Sequence, residues 1–308
     1  MAARREVRIP VADTNLAAWL YEPSAAAGSG APCVVLAHGF TGVRDMHLDR
    51  PAARFAEAGI GALVFDYRHF GDSGGDPRQV VDIGHQYTDW DAAVAFAEDL
   101  DWVDRRRIAL WGTSFCGGHV IDAAVRHQRV AAVIAQAPFV DGLSQLLRTP
   151  PAIGLRLALD GVRDELGRLR GQAPRLVPVS AAPGQYAVLS DPHVWQSIPV
   201  VVPPGSTWRN EVAARVALRL AFHRPGRHTR RVRCPILMQL LDDETVLSRR
   251  AVERAARRGR FVELKRYDEL NHFDVYVGEG FERLFADQLA FLQRHLDSPA
   301  RPAGVVGA

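Results

Sequence analysis

The chain has 308 residues, of which 47% are hydrophobic and 24% charged, with a formal net charge of +3. This composition belongs to a folded globular protein, and the length admits two ordinary domains or, the reading favoured here, one large α/β domain with an insertion. Arginines interleaved with Asp and Glu give no basic stripe for nucleic acid, and Cys33, Cys116 and Cys234, without a CxxC spacing, fit a reducing cytoplasm.

The N-terminus, Met1 to Arg8, lacks the apolar stretch of a secretory signal, and no apolar run approaches the roughly 20 residues of a membrane span, so no membrane is expected. Residues 5–10 and 16–22 alternate apolar and polar around Ala12-Asp13-Thr14, which predicts an antiparallel hairpin at a sheet edge, followed by a small-residue loop over 22–32. Continuous apolar runs at 33–37, 61–66, 107–111 and 130–136 predict strands buried on both faces. Helical patterns at 49–58, 86–99 and 115–127 separate them. Strands alternating with helices imply right-handed crossovers and a mostly parallel sheet.

After the sixth strand the rhythm breaks. Residues 142–230 contain many prolines and helical stretches at 143–148, 153–170 and 210–222, too long a segment for a plain crossover. An insertion rising from the carboxyl ends of parallel strands is expected to form a lid over a pocket. The alternation resumes with a strand at 235–241, a helix at 249–257, a strand at 261–267 and a helix at 279–296. The core therefore comprises 1–141 and 231–297, and the tail 298–308 is expected to be frayed.

The most informative stretch is Arg107 to Gly118, where an apolar run ends in Gly112-Thr113-Ser114-Phe115-Cys116-Gly117-Gly118 and a helical pattern begins. A sharp strand-to-helix turn is where a serine hydroxyl can be pushed into a pocket beside the free N–H groups of a helix start. The flanking residues must be small because strand and helix pass close together.

This turn resembles the nucleophile elbow Gly-X-Ser-X-Gly of the α/β-hydrolase superfamily, with Cys116 in place of the second glycine. The resemblance is closest to the esterase and X-Pro-peptidase-like serine hydrolases. His38-Gly39-Phe40 after the third strand, and Asp66 to Gly75 after the fourth, are similar to two further loops of that family. The resemblance covers residues 30–140 and 232–296. It implies an α/β-hydrolase fold, helices on both faces of the sheet, and a lid insertion after the sixth strand. It also implies Ser114 as nucleophile and His272, in the loop between last strand and last helix, as base. Backbone N–H groups of Phe40 and Phe115 would form the oxyanion hole, and His38 would be structural. The acid falls among Asp242, Asp243 and Glu244; counting along the family pattern favours Glu244, with Asp141 an outside candidate.

The expected activity is cleavage of a carboxylic ester or related acyl compound through an acyl-enzyme. Acyl transfer, cyclisation, dehydration or C–C cleavage on the same fold is the alternative, and a binding module with a vestigial triad a third. The expected partner is a small-molecule acyl substrate, with no cofactor and no metal, since no His-carboxylate cluster has ligand spacing. A homodimer is left open. Trp195, Trp208, Tyr186 and Phe222 in the insertion would line the pocket or pack inside the lid.

Overall fold

The computed structural model describes residues 3–23 and 30–297; the expectation for the tail 298–308 lies outside them. The predicted hairpin is β1 (Arg4–Val11) with β2 (Thr14–Tyr21), paired antiparallel. The next strands are β3 (Ala31–Ala37), β4 (Gly61–Phe65), β5 (Val103–Thr113), β6 (Ala132–Gln136) and β9 (Ile236–Leu241), with β10 (Val262–Tyr267), only partly buried, at the far edge. They form one eight-stranded sheet in the order β1-β2-β4-β3-β5-β6-β9-β10. Apart from the antiparallel β1–β2 and β2–β4 pairs, all neighbours are parallel. The mostly parallel sheet is the one expected from the crossovers, and its arrangement is the α/β-hydrolase fold that the resemblance implies.

Both faces of the central strands are buried, which is why they read as continuous apolar runs. Along β3, Cys33, Val35 and Ala37 point to one core and Val34 and Leu36 to the other, following the two-residue period of a strand. The first core is closed by α2 (Ile83–Glu98), α3 (Phe115–Arg126) and α8 (Arg249–Arg258), through residues such as Trp90, Val120 and Val252. The second is closed by α1 (Asp49–Glu57) and α9 (Gly278–Leu296), through Phe55, Phe285, Phe291 and Leu292.

Residues 142–230 stay outside this sheet. They hold α4 (Gly142–Leu146), α5 (Pro151–Leu169), α6 (Pro192–Val201), α7 (Ala217–Leu220) and a separate two-stranded ladder, β7 (Leu176–Val177) with β8 (Val212–Ala213). The helix expected over 210–222 is a correction: its apolar residues are shared among β8, a 3₁₀ turn at Ala214–Val216 and the single turn of α7. The helix α6 was not expected, because Pro192 and Pro199 read as interruptions. Pro192 instead occupies the first turn, where its missing N–H costs nothing, behind the Asp191 cap.

Parallel strands put their carboxyl ends on one side. The loops after β3, β5, β9 and β10 therefore converge there, carrying His38 to Phe40, Ser114, Asp242 to Glu244, and His272.

Candidate active site

Ser114 stands between β5 and α3 with φ 55° and ψ −121°, a sparsely populated conformation for a residue with a Cβ, costing of order 1–3 kcal/mol. The surroundings fix it. Its N–H donates to Gln136 O at 2.9 Å, and its carbonyl accepts from the N–H groups of Phe139 at 2.8 Å and Gly117 at 2.9 Å. A Cβ on Gly112 would lie 2.4 Å from Cys116 O, and one on Gly118 would lie 2.2 Å from Phe139 O. Cys116 fits because its side chain turns inward, where its sulfur accepts from Tyr67 OH at 3.0 Å. Burial pushes the Cys116 thiol up to about 12, so it stays protonated and serves as core rather than nucleophile.

The His272 Nε2 lies 3.0 Å from Ser114 Oγ, and its Nδ1 lies 2.7 Å from Glu244 Oε2. The other carboxylate oxygen, Glu244 Oε1, accepts from the N–H groups of Val246 at 2.7 Å and Leu247 at 2.9 Å. Glu244 and His272 are both buried. Burial by itself would raise the Glu244 pKa. The His272 charge and hydrogen bond, with the two backbone donors, outweigh that and hold the carboxyl below its ordinary value.

The other acids named from the sequence go elsewhere. Asp242 faces Arg266 at 3.4 Å, and Asp243 is exposed. Asp141 caps α4 through the Leu143 N–H at 3.1 Å and binds Arg224 at 2.9 Å. Among the described residues, Glu244 is the carboxylate at His272 Nδ1.

Opposite Ser114 is the loop after β3. His38 Nδ1 accepts from the Gly39 N–H at 2.8 Å, and its ring stacks on Tyr276 with centroids 5.3 Å apart. Burial lowers the His38 pKa to about 4, so the ring is neutral and shapes the loop. A Cβ on Gly39 would stand 2.8 Å from Ser114 Cβ and 3.3 Å from its Oγ, so only glycine lets the loop carrying Phe40 come this close. The Phe40 and Phe115 rings meet edge-on at 5.5 Å. Phe115 opens α3, where helix N–H groups lack intrahelical partners, and neither the Phe115 nor the Phe40 N–H meets a backbone acceptor among the described residues. On the expectation that the Phe40 N–H is an oxyanion donor, Gly39→Ala should push this loop away from Ser114 and lower kcat about a hundredfold. Steady-state kinetics with a thermal melt check this; a loss of stability without a loss of kcat contradicts it.

Ser114 opens into a cavity of about 390 Å³. Phe40, Met46, Phe139 and Phe273 of the core line it, together with Leu157, Val179, Ile198, Trp208 and Phe222 of the insertion. Trp208 and Phe222 thus face the cavity. Tyr186 instead donates to Asp160 at 2.7 Å within the insertion, and Trp195 is half exposed. Among the described residues no cluster of three or more His, Cys, Asp or Glu could hold a metal, and no helix is long and apolar enough to cross a membrane.

Residues 29–273 match the Hydrolase_4 family, described as serine aminopeptidase, S33. The chain is an α/β-hydrolase of this family. It is 40% identical over 289 residues to the quorum-quenching protein AidA of Acinetobacter baumannii, covering 94% of each chain. It is 26% identical to the thiohydrolase aneE of Aspergillus aculeatus, over 85% of each. Its fold matches the crystal structure of the α/β-hydrolase GrgF from Penicillium sp. sh18, with a TM-score of 0.83 and 25% identity over 96% of this chain and 100% of that one.

Sequence reasoning missed the polar layer beneath the elbow of the hydrolase. Gln288 accepts from Trp111 Nε1 at 3.0 Å and donates to Gln136 Oε1 at 2.8 Å and Gln239 Oε1 at 2.7 Å. Gln136 Nε2 in turn donates to Thr113 Oγ1 at 3.1 Å, next to Ser114. All three glutamines are buried, and their mutual bonds tie β6, β9 and α9 under the turn. The signal was present as a single glutamine in each of two otherwise apolar strands, Ala132 to Gln136 and Ile236 to Leu241.

Proposed function

We propose that this protein is a serine hydrolase that cleaves a carboxylic ester or thioester with a predominantly apolar acyl group. The observation that carries this reading is the row Ser114 Oγ, His272 Nε2, His272 Nδ1 and Glu244 Oε2, joined by contacts of 3.0 and 2.7 Å at the floor of an apolar cavity. In this reading Ser114 attacks the acyl carbon while His272 Nε2 takes its proton. The Phe40 and Phe115 N–H groups stabilise the oxyanion. As the tetrahedral intermediate collapses, His272 gives the proton to the departing alcohol or thiol, leaving the acyl group on Ser114 Oγ. Water then enters, loses a proton to His272 and attacks the acyl carbon; the bond to Ser114 Oγ breaks, His272 returns the proton to that oxygen, and the acid leaves. Glu244 keeps the imidazole oriented and stabilises its charged form. The insertion 142–230 is the lid that completes the acyl pocket, and the aneE relative, a thiohydrolase by name, supports extending the leaving group to thiols.

A series of p-nitrophenyl esters and matched thioesters of graded acyl length tests this. Each further methylene buried in the cavity should raise kcat/KM about fourfold until the pocket is full, the value of roughly 0.8 kcal/mol per CH₂. Equal rates from acetyl to octanoyl would remove the acyl-pocket assignment. No turnover of any ester or thioester would remove the hydrolase reading.

A further inference from the structure

The helix α5 is built inside out. Its buried positions include Asp160, Gly161, Asp164 and Gly167, whereas Leu155, Leu159, Val162, Leu166 and Leu169, spaced four, three, four and three residues apart, are exposed by between 45% and 68%. The inward carboxylates are fully engaged. Asp164 accepts from Arg215 Nε at 2.7 Å and Nη2 at 3.0 Å, and Asp160 accepts from Arg175 at 2.8 Å and Tyr186 at 2.7 Å. These bonds hold the apolar stripe outward, so it is a built surface and not a helix waiting to rotate into the core. Exposed apolar residues of the insertion also occur at the cavity. Leu147 and Phe222 are more than three-quarters exposed, and Phe222 and the half-exposed Leu146 also line the cavity wall.

The exposed charge on the insertion is predominantly cationic, although Arg163 pairs with Asp160 at 3.4 Å and Arg168 with Glu165 at 2.6 Å. Residues 142–230 contain twelve arginines and no lysine against five carboxylates, although the whole chain is only +3. None of those five carboxylates is exposed, while Arg148, Arg156, Arg163, Arg168 and Arg170 are. A second copy packed stripe to stripe would set these arginines against their own kind.

We propose, against the expectation from the sequence that no membrane is involved, that α5 and other exposed apolar residues of the insertion dock the protein on an anionic phospholipid bilayer. The leucine stripe enters the acyl boundary, the arginines meet the lipid phosphates, and the cavity mouth at Leu146 and Phe222 opens toward the lipid. The docking rests on surface chemistry and is independent of the hydrolase reading.

Flotation of full-length Ser114→Ala protein with vesicles of phosphatidylcholine, with and without phosphatidylglycerol, tests it without turnover. Binding to the phosphatidylglycerol vesicles is expected, with little to phosphatidylcholine alone. Raising the salt should weaken it, and Arg156→Gln with Arg170→Gln should weaken it about fivefold per arginine. Leu159→Ser with Leu166→Ser should abolish flotation while leaving the thermal melt of this exposed face unchanged. Absence of flotation, or equal binding to both vesicle types, overturns the proposal. A dimer in sedimentation equilibrium that Leu159→Ser/Leu166→Ser dissociates assigns the stripe to a second copy, and an acidic protein that competes the vesicles away at equimolar amount assigns it to a protein partner; either result overturns the membrane assignment.

Discussion

Ser114→Ala is expected to lower kcat by about a millionfold, because removing a nucleophile leaves only binding and oxyanion contacts to assist the attack of water. The fold should survive. The Ser114 backbone is held by Gln136, Gly117 and Phe139 through bonds that alanine keeps, and the lost side-chain contact is a single one, to His272. The unfolding midpoint should shift by no more than about 4 °C. Labelling by a fluorophosphonate should vanish with the activity. An alanine variant that retains ester cleavage within tenfold of wild type would exclude Ser114 as nucleophile. Cys116, the thiol of the turn, is buried and held protonated, so it offers no substitute route.

The sheet was legible because strands buried on both faces have no polar alternation, and the crossovers between them leave few topologies. The elbow was legible for a related reason: close backbone approaches, of Gly112 to Cys116 and of Gly117 and Gly118 to Pro138 and Phe139, force small residues there. Three adjacent acids after β9 were not separable from composition. Their side chains diverge with the backbone, Asp242 toward Arg266 and Glu244 toward His272, and that direction depends on Val246 and Leu247 N–H groups turning back onto Glu244. The insertion was least legible. Its longest helix, α5, is fixed by ion pairs, Asp164–Arg215 and Asp160–Arg175, to residues distant in sequence, not by an apolar face of ordinary period.

Those considerations make Glu244 the most exacting place to test the site. Glu244→Gln is expected to lower kcat by about ten-thousandfold with little change in KM, since the residue touches His272 and not the substrate cavity. An amide cannot stabilise imidazolium. If its NH₂ turns to Nδ1, the ring proton is driven to Nε2, and Ser114 Oγ then faces a donor where it needs a base. Asp242→Asn, whose side chain pairs with Arg266, should change kcat by less than about threefold. Stability provides a second readout. The Glu244 carboxyl is held below its ordinary value in the folded protein, so the unfolded chain binds its proton first as pH falls. The stabilisation from the carboxylate is therefore complete above the ordinary glutamate range and is lost as pH drops through the depressed value. Wild type should exceed Glu244→Gln in unfolding midpoint at neutral pH, and the gap should close on acidification. A gap that is constant with pH would show that the carboxylate carries no net charge interaction with His272. A glutamine variant with near wild-type kcat would remove Glu244 from the reaction.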